Sequence, residues 1–250
     1  MAINPKDLSK ESLDLNSNLK LFQIYKNLKR ESLKCDTYFQ VYEELFNKYV
    51  GKNITFVEVG VLQGGSLFMW KEYFGEKARI IGIDLHPNAK ELEKNGFEIY
   101  IGSQSDNNFW RNFYDEVGKI DILLDDGGHV NDQQIVTLSE SINNINDDGI
   151  IITEDVHTSY FKKFGNPSKY SFINYSKYLV DVVNSRFPET EIKKNNIFRK
   201  KIYSISFYDS IVAIKINSKK SIESNMLRNT DTQSIKVADL RHSDYFPNVD

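Results

Sequence analysis

The chain has 250 residues, one cysteine and a formal net charge of -3. This length suits one α/β domain with additions, and the small net charge gives no reason to expect nucleic acid or an anionic membrane as a partner. A single cysteine excludes an internal disulfide and a metal cage of cysteines. The N-terminus has no apolar stretch of signal-peptide length and no stretch approaches transmembrane length, so we expect a cytoplasmic protein.

Residues 1–50 are predicted to form an N-terminal helical extension. Apolar side chains recur on one face of "LKLFQIYKNLKR" and of "TYFQVYEELFNKYV", which is the spacing of helices that pack on a core. Such an extension could act as a lid over a site, or as a contact between copies of the chain in a homo-oligomer.

Residues 51–217 read as alternating strands and helices, with apolar strands in "NITFVEVG", "ARIIGIDL", "GFEIYIG", "KIDILLDD" and "DGIIITED". Two more strands, "KIYSISFYD" and "SIVAIKIN", are joined by almost nothing. Parallel neighbours need a crossover connection, so this last pair should be an antiparallel hairpin. The pattern predicts an α/β fold: a doubly wound, mostly parallel, seven-stranded sheet with one antiparallel edge strand. Residues 218–250 form a polar C-terminal tail.

The first chemical stretch, "FVEVGVLQGGS", runs from a strand through a glycine-rich turn into a helix. Open α/β sheets bind nucleotides at this point. The candidate cofactor-binding residues here are Glu58, Gly60, Gly64 and Ser66. Because the spacing fits neither a dinucleotide fingerprint nor a phosphate loop, a pyrophosphate is not the expected ligand, and the acidic strand end suits an amino group or a positive charge.

An acidic residue, Asp84, ends the second strand, and the third strand ends with Ser103 and Gln104. A carboxylate at the end of the second strand is the usual partner of ribose hydroxyls. Asp84 could instead cap the next helix. The two small polar side chains could meet an adenine edge. With the glycine turn, these residues predict an adenosine-type cofactor.

Two acidic pairs end neighbouring strands: Asp125 with Asp126, and Glu154 with Asp155. Parallel neighbours bring their carboxyl ends to one edge, where four carboxylates would raise one another's pKa unless a cation were present. The pattern favours a hard divalent ion, Mg²⁺ first, with Mn²⁺ or Ca²⁺ as alternatives. Asp126, further into its loop, is the predicted ligand, while Asp125 would face the cofactor or cap a turn. Each pair alone could also be a turn or a helix cap.

Histidines follow both acidic pairs. His129 lies three residues after Asp126, and the two glycines between them give the backbone freedom to turn it inward. Histidine can act as a base near neutral pH, so His129 is the candidate general base. His157 is the competitor, and we predict instead that it orients the substrate with Tyr160 as a wall.

Together these motifs resemble the class I S-adenosylmethionine-dependent methyltransferases. More narrowly, "DDGGHVN" and "EDVHTSY", with the motifs before them, resemble the metal-dependent sugar O-methyltransferases over roughly residues 36 to 215. One departure is Ser103, where an acidic residue is common. The resemblance implies S-adenosylmethionine as cofactor, and it implies that both Glu154 and Asp155 turn toward the metal.

The expected function is Mg²⁺-dependent transfer of a methyl group from S-adenosylmethionine to a sugar hydroxyl. A vicinal diol can chelate the ion, which lowers the pKa of the hydroxyl to be methylated. We expect a bacterial surface-polysaccharide (capsular) sugar or its nucleotide-linked precursor. The alternatives are a catechol-type or natural-product small-molecule O-methyltransferase and, from another class, a non-catalytic binding protein on the same scaffold.

Overall fold

The computed structural model describes residues 4–164, 168–188 and 190–229. The α-helices are α1 (Lys10–Asn16), α2 (Lys20–Lys26), α3 (Tyr38–Phe46), α4 (Gly65–Phe74), α5 (Asn107–Val117), α6 (Asn131–Ser141) and α7 (Phe172–Asn184). The strands are β1 (Thr55–Val59), β2 (Arg79–Asp84), β3 (Glu98–Ile101), β4 (Ile120–Asp125), β5 (Ile145–Thr153), β6 (Ile202–Tyr208) and β7 (Ile211–Ile216). Short 3-10 helices include Pro87–Asn95 and Val156–Tyr160.

The seven strands form one sheet in the order β3-β2-β1-β4-β5-β7-β6. Neighbours among β1 to β5 are parallel, whereas β7 is antiparallel to both β5 and β6. The predicted fold class is confirmed, including the single reversed strand. That strand lies one place inside the edge, because the second strand of the terminal hairpin inserts between β5 and β6 and leaves β6 outermost.

Helices cover both faces of the sheet, and successive strand residues alternate between the two cores. On β1, Phe56 packs with the helices α2, α3 and α4, whereas Val57 packs with α5, α6 and α7. On β4, Leu124 and Leu123 divide in the same way. This is the two-residue period of a sheet that is buried on both sides.

The N-terminal helices share a core with the sheet. Tyr42 and Phe46 of α3 pack edge-on against the buried Trp70 of α4, and Phe22 of α2 packs against Phe39 of α3. The loop between α2 and α3, residues 27–37, belongs to no helix or strand and crosses the carboxyl edge of the sheet near α4, where a Cβ on Gly65 would lie 2.0 Å from its backbone. This connection brings N-terminal residues to the site.

Beyond the hairpin, the first part of the predicted tail is held to the body of the protein. Ser221 is buried, and Glu223 pairs with Arg199 at 2.7 Å. The rest of that prediction, residues 230–250, lies outside the described residues. Within the described ranges, no helix is both long and apolar enough to cross a membrane.

Candidate active site

The carboxyl ends of β1, β4 and β5 bring the predicted acidic residues to one edge. The backbone ladder continues past the strands: Asp126 N donates to Val59 O at 3.0 Å, and Glu154 N donates to Asp125 O at 2.9 Å. Because the three strands are hydrogen-bonded neighbours, the side chains that follow them emerge together. The predicted convergence of acidic strand ends is present.

A lysine from the N-terminal loop lies at the centre of these carboxylates. Lys34 Nζ is 2.5 Å from Asp126 Oδ2, 3.1 Å from Glu154 Oε2 and 3.5 Å from Glu58 Oε1, and its side chain is 1% exposed. Burial alone would lower the pKa of this ammonium, but the three carboxylates outweigh it and raise the pKa well above its ordinary value. Lys34 is therefore a charged, buried cation where the sequence predicted a metal ion.

Both oxygens of Glu154 are bonded to protein groups. Oε2 faces Lys34, and Oε1 accepts a hydrogen bond of 2.5 Å from the hydroxyl of Tyr42. Burial raises the pKa of Glu154, and Lys34 opposes that shift. Glu154, predicted as a metal ligand, is here the counterion of Lys34.

Glu58 lies in the same buried group. Its Oε2 accepts from Ser66 Oγ at 2.6 Å, and its Oε1 accepts from Trp70 Nε1 at 3.3 Å. Burial raises the pKa of this carboxyl, again against the pull of Lys34. We call Lys34, Glu58, Glu154 and Tyr42 the inner cluster. Its polar groups are hydrogen-bonded or ion-paired to one another within the protein.

A second group is more open to solvent. Asp126, His129 and Asp155 each offer one ligand atom, and these atoms all lie within 4.8 Å of one another, so they could hold a metal ion. His129 Nε2 is 3.4 Å from Asp155 Oδ2 and 4.0 Å from Asp126 Oδ1. We call these three residues the outer cluster. It unites two of the three predicted metal ligands with the predicted base.

The backbone is strained at the outer cluster. His129 and Asp155 have φ angles of +57° and +53°, in the left-handed region that residues with side chains rarely adopt. Thr158 Oγ1 lies 2.9 Å from the carbonyl oxygen of His129 and 2.8 Å from that of Asp155. This one hydroxyl thus ties together the two turns that aim the imidazole and the carboxylate at each other.

The glycine turn makes room for the loop after β4. Gly60 has a φ of +84°, and a Cβ there would lie 2.1 Å from the backbone oxygen of Asp126. Gly64, at φ +82°, is the residue immediately before α4, and a Cβ there would meet the side chain of Leu92 at 2.4 Å. Both positions therefore require glycine for close approach of the protein itself, and their contacts with a cofactor remain predictions.

Gln104 and Asp125 are buried, and their side chains hydrogen-bond to the loop that follows β4. Gln104 Nε2 donates to Asp125 Oδ1 at 2.9 Å and to Thr137 Oγ1 at 3.1 Å, while its Oε1 accepts from Gly128 N at 2.8 Å. Burial raises the pKa of Asp125 to about 6. The side-chain amide predicted to meet adenine is bonded to protein groups, so Gln104 and Asp125 fix the shape of the loop.

Asp84 and Ser103 line a cavity of about 230 Å³, which we call the rim cavity and which Gly60 and Gly127 also line. Asp84 Oδ2 accepts from the backbone amides of Val61 and Leu62 at 3.0 and 3.2 Å. This carboxylate braces the glycine turn, and it faces the cavity in which a ribose was expected.

Two further cavities meet at the outer cluster. The glycine-loop cavity, about 240 Å³, is lined by the β1–α4 turn, Ser66 and His129. The aromatic cavity, about 390 Å³, is lined by N-terminal residues that include Phe22, Tyr25, Tyr38 and Phe39. Lys34, Asp126 and Asp155 line both cavities. The two cavities are therefore adjacent and share these residues in their walls.

His157 and Tyr160 lie outside these cavities. His157 Nδ1 hydrogen-bonds Ser210 Oγ and is 4.0 Å from Asp155 Oδ1, and its side chain is 46% exposed. Tyr160 is also exposed. The structure therefore places the predicted base, His129, in the wall of the glycine-loop cavity, beside the aspartates that line both cavities, and it places the predicted substrate contacts on the nearby surface.

Sequence reasoning missed Lys34, Tyr38, Tyr42 and Thr158. The hydroxyl of Tyr38 donates to Asp155 Oδ1 at 2.5 Å, so α3 contributes to the outer cluster as well as the inner one. Both tyrosines stood on a face predicted simply to pack on a core. The excess of carboxylates at the strand ends indicated that a cation must lie among them. It did not indicate that a lysine of the N-terminal loop supplies that charge.

No protein-family model matches the chain. Its curated relatives include the 8-demethyl-8-alpha-L-rhamnosyl tetracenomycin-C 2'-O-methyltransferase of Streptomyces olivaceus, 33% identical over 135 residues, or 51% of this chain and 35% of that protein. The L-olivosyl-oleandolide 3-O-methyltransferase of Streptomyces antibioticus is 30% identical over 105 residues, or 42% of this chain and 27% of that protein. The chain spans about a third of the length of the curated relatives it matches.

Among solved structures, MycE, a methyltransferase from the mycinamycin biosynthetic pathway in complex with Mg and SAH, superposes with a TM-score of 0.70 at 22% identity. The match covers 80% of this chain and 53% of that one. The chain has the class I methyltransferase fold. The resemblance predicted from its motifs, to class I methyltransferases and more narrowly to sugar O-methyltransferases, is confirmed.

Proposed function

We propose that the chain is an S-adenosylmethionine-dependent O-methyltransferase that methylates a sugar hydroxyl with the aid of a divalent metal ion. The observation that carries this proposal is the outer cluster at the junction of the aromatic and glycine-loop cavities. Methyl transfer needs a donor and an acceptor to meet at one point, and Asp126 and Asp155 line both spaces.

We propose a sugar attached to a natural product as the acceptor. The names of the relatives support this, since they specify rhamnosyl and olivosyl compounds. This alternative is better supported than the capsular or nucleotide-linked sugar that we expected first. The aromatic cavity offers apolar walls beside carboxylates, which suits a sugar ring with one apolar face and several hydroxyls.

The cofactor would extend from the glycine-loop cavity into the rim cavity, which share Gly60, Leu62, Asp126 and Gly127. S-adenosylmethionine supplies an electrophilic methyl group on a sulfonium. The ribose hydroxyls would hydrogen-bond Asp84, and the adenine would pass near Ser103. Gly60, which has no side chain, would let the cofactor come close to the backbone. The buried side chains of Glu58, Gln104 and Asp125 would not touch the cofactor and would hold the turns around it in place.

The donor set of the outer cluster fits a hard cation. Asp126 bonds Lys34 through Oδ2 and turns Oδ1 toward His129. Carboxylate oxygens and water suit Mg²⁺, and an added imidazole would suit Mn²⁺. We assign Asp126 and Asp155 to the ion, with Glu154 as a further ligand if its oxygens are released. The ion would supply Lewis acidity toward the acceptor hydroxyl.

We assign the proton to His129. As the acceptor oxygen bonds the methyl carbon and the carbon–sulfur bond breaks, the hydroxyl proton passes to Nε2 of this imidazole. Asp155 Oδ2, 3.4 Å away, stabilises the imidazolium that forms. His157 and Tyr160, exposed beside the cavities, would contact the part of the acceptor that extends beyond the methylated sugar.

Mass spectrometry of reaction mixtures tests the proposal. The protein is incubated with S-adenosylmethionine, Mg²⁺ and a panel of rhamnosylated and olivosylated aglycones, nucleotide sugars and catechols. We expect a mass gain of one methyl group on a glycoside, and none in a matched sample of the His129→Ala variant. Methylation of catechols alone would reject the sugar acceptor, and S-adenosylhomocysteine that fails to bind in calorimetry would reject the methyltransferase assignment.

A further inference from the structure

The ammonium of Lys34 bonds two of the carboxylates that the sequence assigned to a metal ion, Asp126 and Glu154. We propose that Lys34 is a built-in competitor of the divalent cation, an inference that rests on the metal role proposed above. Its ammonium holds Asp126 and Glu154 until a cation enters, and it then withdraws.

Charge explains why the two cations compete. Lys34 faces three carboxylates, those of Glu58, Asp126 and Glu154, so the group keeps an excess of negative charge that attracts a further cation. An ion bound to the free oxygen of Asp126 would lie only a few ångströms from Nζ, on the same carboxylate. Two positive charges this close repel strongly, because the side chain of Lys34 is buried and little water screens its charge.

The surroundings give the ammonium somewhere to go. Lys34 belongs to the loop of residues 27–37, which has no helix or strand to fix it. Its side chain has a four-carbon stem with a rotatable head, and it lines both the aromatic and the glycine-loop cavity. Rotation of that stem would carry the charge out of the inner cluster while the backbone stays in place.

Withdrawal of Lys34 would also change what Glu154 can do. Oε1 would keep the hydrogen bond from Tyr42, while Oε2 would lose its partner and become free to bind the ion beside Asp126 and Asp155. Lys34 would therefore set the threshold cation concentration for the site, because every ion that binds must replace an existing ion pair.

Amine labelling of the unaltered protein tests the withdrawal. Acetylation of Lys34 by an N-hydroxysuccinimide ester, followed by peptide mass spectrometry, should be slow without metal because the side chain is buried. Saturating Mn²⁺ should raise its rate at least severalfold, whereas Lys90, an exposed partner of Glu93, should keep its rate. An unchanged or lower rate at Lys34 while Mn²⁺ is bound would overturn the proposal.

Mn²⁺ affinity, measured by electron paramagnetic resonance, gives the second test. Lys34→Gln should bind Mn²⁺ at least tenfold more tightly than the unaltered protein, and Lys34→Arg, which keeps the charge, should bind no more tightly. Lys194→Gln, which removes an exposed charge paired with Glu191, controls for net charge and should change little. Equal or weaker binding by Lys34→Gln contradicts the competition.

The two proposals fail differently. If the unaltered protein and all variants bind no Mn²⁺ at millimolar concentration, the metal role itself is wrong; if the unaltered protein binds and Lys34→Gln does not bind better, only the competitor is wrong. Should Lys34→Gln unfold because the buried carboxylates of Glu58 and Glu154 lose their partner, the labelling of the unaltered protein decides alone.

Discussion

The inner and outer clusters contain carboxylates at the ends of the same three strands, but these carboxylates differ in their burial and in their partners. Glu58 and Glu154 are 0% and 1% exposed, and each is bonded to hydroxyl, indole or ammonium groups of the protein. The side chains of Asp126 and Asp155 are 21% and 24% exposed and face cavities. A fully buried carboxylate needs all its partners from the chain, whereas a partly exposed one can also bind a ligand.

Under the proposed function, this contrast predicts that the inner cluster contributes stability and the outer cluster contributes chemistry. Asp126, a member of the outer cluster, links the two, since one oxygen faces Lys34 and the other faces His129. Changes at the two clusters should therefore separate in their effects: loss of turnover with a stable fold at the outer cluster, and loss of stability at the inner one.

Metal removal should have the largest effect, and it should act through the outer cluster. Excess EDTA should abolish methyl transfer, and Mg²⁺ or Mn²⁺ should restore it. Asp155→Asn should lose most activity in saturating Mg²⁺, because an amide is a poor replacement for an anionic ligand, yet it should bind S-adenosylhomocysteine normally in calorimetry. Full activity in excess chelator would reject the metal role.

The next effect separates the two histidines. His129→Ala should lower kcat about 10²–10⁴-fold with little change in KM, because a proton transfer matters mainly in the transition state. His157→Ala should raise KM with a milder loss of kcat, since its side chain lies on the surface beside the cavities. Steady-state kinetics of both variants decides, and a dead His157→Ala beside a near-normal His129→Ala would reverse the roles.

A stability measurement probes the inner cluster. Glu154→Ala removes one of the three carboxylates that face the ammonium of Lys34. It also removes the acceptor of the hydrogen bond from the Tyr42 hydroxyl. Breaking one side of a buried ion pair costs about 3–5 kcal/mol. Urea unfolding followed by circular dichroism should show that loss, while Asp155→Asn should stay within about 1 kcal/mol of the unaltered protein. Equal stability of the two variants would remove the distinction between the clusters.

Periodicity and strand ends predicted much of this arrangement, since they depend on local sequence. The strands, the hairpin and the meeting of Asp126 with Asp155 follow from two-residue alternation and from parallel strands sharing one edge. The position of Lys34 could not be predicted from the sequence, because it lies 92 residues from Asp126 in an irregular loop whose path is set by packing. The same limit applies to Gln104, whose partners Asp125 and Thr137 are fixed only in the folded chain.

The smallest expected effect concerns Thr158, which links the strained turns of the outer cluster. Thr158→Val keeps the shape of the side chain but removes the hydroxyl that lies 2.9 and 2.8 Å from the carbonyl oxygens of His129 and Asp155. Loss of one such hydrogen bond costs about 1 kcal/mol of stability. Since both residues have positive φ angles, some relaxation of the turns should follow, and kcat should fall severalfold.

Thr158→Ser is the matched control, because it keeps the hydroxyl and should recover both stability and kcat. A merely structural threonine would lower stability without changing kcat, so the two quantities must be measured on the same preparations. If Thr158→Val keeps full kcat, the hydroxyl does not aim His129, and the geometry of the outer cluster must then be maintained by its other contacts, such as the hydrogen bond from Tyr38 to Asp155.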